Sequence, residues 1–131
     1  MEIKELMIGD WIRYSPKSIS LNNNYGGLYR AEGVSQDTIS LGAKNYRFVV
    51  SDKEIDPIPL TTEILEKNGW EQTEYCHEYR DDKNTIQCRL PYMVGRINGI
   101  EIERFKCKYV HQYQHLLRLC GLDELANNFK I

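Results

Sequence analysis

The four cysteines, at 76, 88, 107 and 120, form no C-x-x-C pair, so neither a zinc ribbon nor a thioredoxin-type redox site is encoded. G-x-S-x-G, a Walker-type glycine loop and G-x-G-x-x-G are missing as well. With them go the acyl-transfer and phosphate-cradling machineries that those motifs build. No apolar run approaches the roughly 18 residues of a membrane span, and the opening MEIKELMIGDWIR has no apolar stretch of secretory type. Neither sign of charge dominates: 17 basic against 19 acidic residues leave a net charge of -2. No global positive field therefore draws the chain to nucleic acid or anionic lipid. With nothing to suggest an oxidising compartment, the expectation is a soluble, cytoplasmic protein with free thiols and no cofactor.

What is present is enough for a folded core. The chain has 131 residues, 41% of them hydrophobic, and a chain this long removes about two thirds of its unfolded surface from water without disulfides or metal. Its clearest punctuation is Pro57-Ile58-Pro59, which predicts a boundary between modules 1–59 and 60–131, packed as one unit. Before it, β-branched and aromatic runs at 10–14, 27–34, 38–41 and 46–50 alternate with Gly, Asn, Asp and Ser clusters. Four or five such short strands bury their edges best by curling into a small SH3-like β-barrel. The segment SPKSISLNNNYGG at 15–27 is expected to be a long loop between the first two strands.

After the prolines, Thr61 is placed to cap a short helix with Glu63 in its first turn, and Gly69 to end it with Trp70 folding back on Leu65. Two hairpins follow. Turning at 81–84 pairs Arg80 with Thr85 and sets Tyr79, His77 and Tyr75 opposite Ile86, Cys88 and Leu90 on one apolar face. That register separates Cys76 from Cys88, and it makes His77 a half-buried histidine with one satisfied ring nitrogen. Asn98-Gly99 is a strong hairpin turn, setting Ile97 against Ile100 and Arg96 against Glu101 as an exposed cross-strand ion pair. Met93, Ile97, Ile100 and Ile102 then share the buried face. Helical periodicity runs from Tyr109 to Cys120, ends at Gly121 and is followed by another turn or two over 123–129. The fold class is α+β, with the C-terminal helix packed on the sheet of the second module.

Three constellations carry chemistry. His111, Gln114, His115 and Arg118 form a polar stripe on the last helix. Its His pair at i and i+4 could grip a metal ion from one face, which is the basis for a metal-dependent hydrolase reading. No Glu follows His111 to act as general base, however, and no fourth ligand is evident. The alternative is a stripe that bonds sheet-edge or loop carbonyls or faces water. Charge is also segregated: residues 61–82 carry seven acidic against two basic, and 83–118 seven basic against two acidic. Should Arg89, Arg96, Arg104 and Lys106 converge on one face with Tyr92 and Phe105 between them, the surface would suit phosphate backbone and stacked bases. Otherwise neighbouring strands neutralise one another. The third is the loop, where Asn22, Asn23, Asn24 and Tyr25 are candidate partner-binding residues. Cys107, between Lys106 and Lys108, is the one thiol flanked by cations, but in an extended segment they point away from it.

GDWIRY at 9–14, DPIPLTTEILEKNGW at 56–70 and YVHQYQHLLRLCG at 109–121 together resemble a group of short, uncharacterised proteins from gut anaerobic bacteria, their phages and mobile elements. The resemblance spans nearly the full length in matching order. It implies provenance, a bacterial host cell and a shared fold, and carries over no catalytic residue. The group's pattern near the last helix is closer to His-x-Leu-Gln-Asn, where this chain has Tyr113 and His115 in place of Leu and Asn; His111 and Gln114 are the matching pair. The expected role is that of a non-enzymatic binding protein engaging a protein partner through the loop or the charged sheet face, with nucleic-acid binding as the alternative.

Overall fold

The computed structural model describes residues 1, 5–15, 27–36, 38–43 and 46–131. Among these residues it is α+β, with two five-stranded antiparallel sheets and three short α-helices. The chain divides into two compact units, Met1–Ile58 and Pro59–Ile131.

In the first unit, β1 (Trp11–Tyr14), β2 (Gly27–Val34), β3 (Thr38–Ala43), β4 (Tyr46–Ser51) and β5 (Ile55–Asp56) line up in the order β4-β3-β2-β1-β5. The meander curls because β5 returns to β1, pairing Arg13 with Asp56 and Tyr14 with Ile55. A 3-10 turn, Asp52–Glu54, makes that return, and the Ser51 hydroxyl caps it by accepting from the Lys53 N–H at 3.3 Å. The half-barrel closes over Leu6, Ile12, Ala31, Ile39, Leu41, Val50 and Ile55. Tyr14, Tyr29 and Phe48 meet edge to face beside this core, at centroid separations of 5.1 to 6.4 Å, the geometry that ring quadrupoles favour.

The second unit begins with α1 (Thr62–Lys67). Thr61 Oγ1 accepts from the Ile64 N–H at 3.3 Å, filling one of the donors left open at a helix start. At the other end Gly69 takes φ +85°, and Trp70 N–H donates to Leu65 O at 3.2 Å while Gly69 N–H donates to Glu66 O at 3.2 Å. These two bonds are the Schellman pair expected from the glycine. The sheet then runs β10-β9-β8-β7-β6, with β6 (Glu71–Gln72), β7 (His77–Arg80), β8 (Asn84–Arg89), β9 (Tyr92–Ile97) and β10 (Ile100–Lys106).

The register of the first hairpin follows the alternation of its residues: His77 faces Cys88, Tyr79 faces Ile86 and Arg80 faces Thr85. The expected continuation to Tyr75 and Leu90 does not form. Thr73 and Cys76 instead close a turn, with Thr73 N–H donating to Cys76 O at 2.7 Å and Cys76 N–H donating to Thr73 Oγ1 at 3.2 Å. Tyr75 sits on this turn, 71% exposed. All four cysteines are free, and His77 Nε2 meets Glu66 Oε1 at 3.2 Å.

The second hairpin turns at Asn98-Gly99, both at positive φ, and pairs Ile97 with Ile100 and Arg96 with Glu101. Ile97 and Met93 are fully buried, whereas Ile100 is 47% exposed, because it lies at the turn end of an edge strand. Ile102 is half-buried. Asn98 ties the turn to its surroundings: its N–H donates to Asn84 Oδ1 and its Nδ2 to Cys120 O, each at 2.8 Å.

Two helices complete the unit, α2 (Val110–Leu119) and α3 (Asp123–Asn127). Gly121, at φ +81°, ends α2 with the same pair of bonds as in α1, from Gly121 N–H to Arg118 O and from Leu122 N–H to Leu117 O. Tyr113 of α2 is buried against Trp70 and Phe129, at centroid distances of 5.9 and 5.4 Å. Trp70 in turn tilts over Tyr79 of β7 at 5.8 Å. No helix among the described residues is long and apolar enough to cross a membrane.

Candidate functional site

The polar stripe of α2 is not a surface. His111 is 3% and Gln114 0% exposed, which corrects any expectation that they face water. The reversal at Gly121 brings α3 back along α2, and Gln114 Nε2 donates to the carbonyl of Ala126 at 3.0 Å. Arg118 bonds Asn127 Oδ1 at 3.3 Å. His111 stacks on Tyr109 with rings 10° apart, and His115 meets His111 edge to face at 5.5 Å. Gln114 and Arg118 thus join two helices, and the carbonyl that Gln114 meets belongs to α3 rather than to a sheet edge or a loop. Among the described residues no group of three or more His, Cys, Asp or Glu is placed to hold a metal ion.

Three of the four thiols, Cys88, Cys107 and Cys120, are equally inward. Burial pushes Cys88 and Cys107 up to about 12 and raises Cys120 as well. A thiol held neutral in this way is a poor nucleophile. Cys107 is fully buried between β10 and α2, its N–H donating to Pro91 O at 2.6 Å, so its two lysine neighbours do not activate it.

The loop residues Asn22, Asn23, Asn24 and Tyr25 lie outside the described residues. The basic candidates do not. Along β8, Asn84, Ile86 and Cys88 are buried while Thr85, Gln87 and Arg89 are exposed, and β9 continues the outer face with Tyr92, Val94 and Arg96. Arg89 pairs in register with Tyr92 across β8 and β9. Lys106 pairs with the same Tyr92 across β9 and β10. Adjacent strands lie about 4.8 Å apart, so one tyrosine is flanked by a cation on either side.

A third cation arrives by an irregularity. Between the Ile102–Gly95 and Phe105–Met93 pairs, β10 carries two residues, Glu103 and Arg104, against Val94 alone. This bulge puts Arg104 at φ +51°, a left-handed conformation that a residue other than glycine adopts at some cost. In a regular strand residue 104 would alternate to the buried face with Met93. The extra residue returns it to the outer face, where its guanidinium carbon lies 4.3 Å from the centroid of the Tyr92 ring. Neither Arg89, Arg104 nor Lys106 forms an ion pair with a described residue.

Around these groups a cleft of about 610 Å³ is lined by Thr73, Tyr75, Cys76, Gln87, Arg89, Tyr92, Val94 and Arg104. Its size falls within the range typical of ligand sites. The Thr73–Cys76 turn forms its wall, with Thr73 Oγ1 3.3 Å from Cys76 Sγ. Two of the predicted groupings are corrected here. Phe105 is opposite Met93 on the other face, and Arg96 lies four residues along β9 from Tyr92, beside Glu101. The Arg96–Glu101 register forms as expected, but no ion pair between them occurs among the described residues.

Tyr75 and the Thr73–Cys76 turn were not recognised as part of this site; the threonine three residues before a cysteine whose N–H it accepts was the available signal. The bulge had a signal too. The inward apolar residues Ile100 and Ile102 are two apart, and Phe105 follows after three, which an uninterrupted alternation does not allow.

Comparison of the chain with protein-family models, with curated proteins and with solved structures found no match.

Proposed function

We propose that this chain is a non-enzymatic binding protein that engages a protein partner through the outer face of its second sheet. The observation that carries this reading is the gathering of Arg89 and Arg104 beside Tyr92 at an open cleft, with Lys106 in register with the same tyrosine on the edge strand. Tyr and Arg, held by their neighbours and accessible, are the residues that concentrate binding energy at interfaces. Exposed Val94 adds apolar area at their centre, and Thr73, Gln87 and Thr85 supply a polar surround. The edge strand β10 is bulged and carries Glu101, Glu103, Arg104 and Lys106, devices that block strand addition, so side chains rather than backbone would do the recognising.

The fold reading behind this is an SH3-like first unit and a second sheet roofed by α2. The strand order β4-β3-β2-β1-β5 with a 3-10 turn before β5 supports the first part. The bond from Asn98 to Cys120 and the Trp70–Tyr113 contact support the second. The resemblance to proteins of gut bacteria, their phages and mobile elements makes a bacterial or viral cytoplasmic partner the natural candidate.

A photoreactive benzophenone side chain at position 94, compared with one at exposed Leu119, tests the reading in cells of a gut anaerobe. The expected result is a protease-sensitive adduct at 94 that is lost in Arg89→Glu. Equal capture from both positions would overturn it. A nuclease-sensitive adduct would favour the second reading, a single-stranded nucleic-acid site, which the stacking of Arg104 on Tyr92 also supports.

A further inference from the structure

From the same cleft we infer the chemistry of what it binds: a short protein segment carrying adjacent Asp or Glu side chains, whose carboxylates pair with Arg89 and Arg104. This rests on the binding reading above and goes further by naming the ligand's charge and extent. Arg89 and Arg104 are like charges that line one cleft with the same ring, and each lacks an ion-pair partner among the described residues. An anion seated between them would relieve their repulsion and gain charge-assisted hydrogen bonds.

Arg104 is prepared for the task. Its guanidinium carbon lies over the Tyr92 ring at 4.3 Å from the centroid and its N–H groups bond no described residue, so they remain as donors whose fork geometry suits a carboxylate. Arg89 projects from a regular strand next to the same ring. The two therefore face a common volume, and both line the cleft.

The extent of the ligand follows from the charges farther out. Glu71 and Glu78 stand on β6 and β7, Glu74 precedes Tyr75 on the cleft wall, and Glu101 and Glu103 lie along β10. The cations of the cleft are thus bounded by carboxylates on more than one side. A long polyanion laid across the sheet would run past carboxylates on both sides, which screening only partly relieves. A segment with two or three neighbouring carboxylates is short enough to sit on Arg89 and Arg104 without spanning those carboxylates.

The test is fluorescence anisotropy on the full chain with three labelled probes: a tetraglutamate peptide, a tetralysine peptide and the oligonucleotide dT12. Saturable binding of tetraglutamate, no binding of tetralysine and weaker binding of dT12 are expected. Arg89→Gln and Arg104→Gln should each weaken the tetraglutamate complex about tenfold, the loss expected for one charge-assisted pair. Arg96→Gln, on the same face but outside the cleft, should leave it unchanged. Arg89→Gln sits in a regular strand and keeps the test standing should Arg104→Gln unsettle the bulge. Equal losses from Arg96→Gln and Arg89→Gln would overturn the inference, since binding would then be diffuse. So would dT12 binding as tightly as the peptide. Failure of tetraglutamate to bind, with the protein adduct at position 94 intact, would reject the acidic chemistry and leave the binding reading in place.

Discussion

The two faces of the second sheet are made from the same strands and serve opposite ends. On β8 the inward residues Asn84, Ile86 and Cys88 are buried and the outward ones exposed, and on β9 Met93 and Ile97 are buried while Val94 and Arg96 between them are exposed. The inner face holds the fold, because Ile86, Cys88, Met93 and Ile97 are buried, as are Leu65 of α1, Leu117 of α2 and Ala126 of α3. The outer face holds charge that the fold does not consume. Function and stability are therefore written in alternate letters of one strand, and substitutions one residue apart should separate them.

The thiols give the widest separation. Cys76 lines the outer cleft, half-buried, while Cys88 and Cys107 lie inward and are pushed by burial from 9.0 to about 12. At pH 8 that change alone lowers the thiolate fraction roughly a thousandfold. Titration of the native protein with a chromogenic disulfide reagent should show one fast thiol, removed by Cys76→Ser, and three that react only as the protein unfolds. Two fast thiols would mean that the inner face is not closed.

Core truncation comes next. Ile97→Ala should cost roughly 2–5 kcal/mol in urea unfolding, the usual loss for a fully buried Ile with a residual cavity. Gly95 tests the same face in the opposite sense. It adopts φ +134°, and a Cβ there would run into the Thr85 carbonyl oxygen, so Gly95→Ala should cost roughly 1–3 kcal/mol from strain and overlap. Neither should alter tetraglutamate binding at temperatures where the variant is folded. Arg89→Gln should do the reverse, changing stability by no more than about 0.5 kcal/mol. A loss of 2 kcal/mol or more, read against the same scale, would show that the outer face also supports the fold.

Much of this arrangement is legible in the chain itself, and the reasons differ by element. Where apolar and polar residues alternate without interruption, as from His77 to Arg80 and Thr85 to Arg89, only one register keeps the greasy side together. Asn98-Gly99 fixes the next hairpin because its turn demands two left-handed residues. Thr61 and Gly69 mark the ends of α1 by the orphan donors and acceptors they satisfy. Three features escape this logic. Tyr75 continues the alternation, yet the Thr73 hydroxyl captures the chain into a turn before β7 starts. Gln114 reads as surface because helical periodicity reveals one buried side, and α3 supplies a second only after the reversal at Gly121. Arg104 reaches the cleft through a single extra residue, and hydrophobic pattern locates such a residue only by the odd spacing of Ile102 and Phe105. The site was thus visible as a set of charges and hidden as a geometry.

The smallest effect concerns the turn between β7 and β8. Asp81 accepts from the Lys83 N–H at 2.8 Å, the Asn84 N–H and Nδ2 at 2.9 Å, and the Tyr79 hydroxyl at 3.0 Å. Partial burial pushes its carboxyl up, but these bonds, led by the Asn84 side chain, outweigh it and hold the group below the ordinary carboxylate value. A carboxyl lowered in the folded state contributes stability that is full above its unfolded value of about 3.9 and is lost as pH falls through the folded value. Because the residue is largely exposed, the contribution should stay under about 1 kcal/mol. Asp81→Asn should therefore be slightly less stable than the parent chain at pH 7 and equal to it near pH 2.5, as measured by urea midpoints. A gap that persists unchanged at low pH would assign the organisation of the turn to Asn84, which reaches on to Asn98 at 2.8 Å, rather than to the charge at its start.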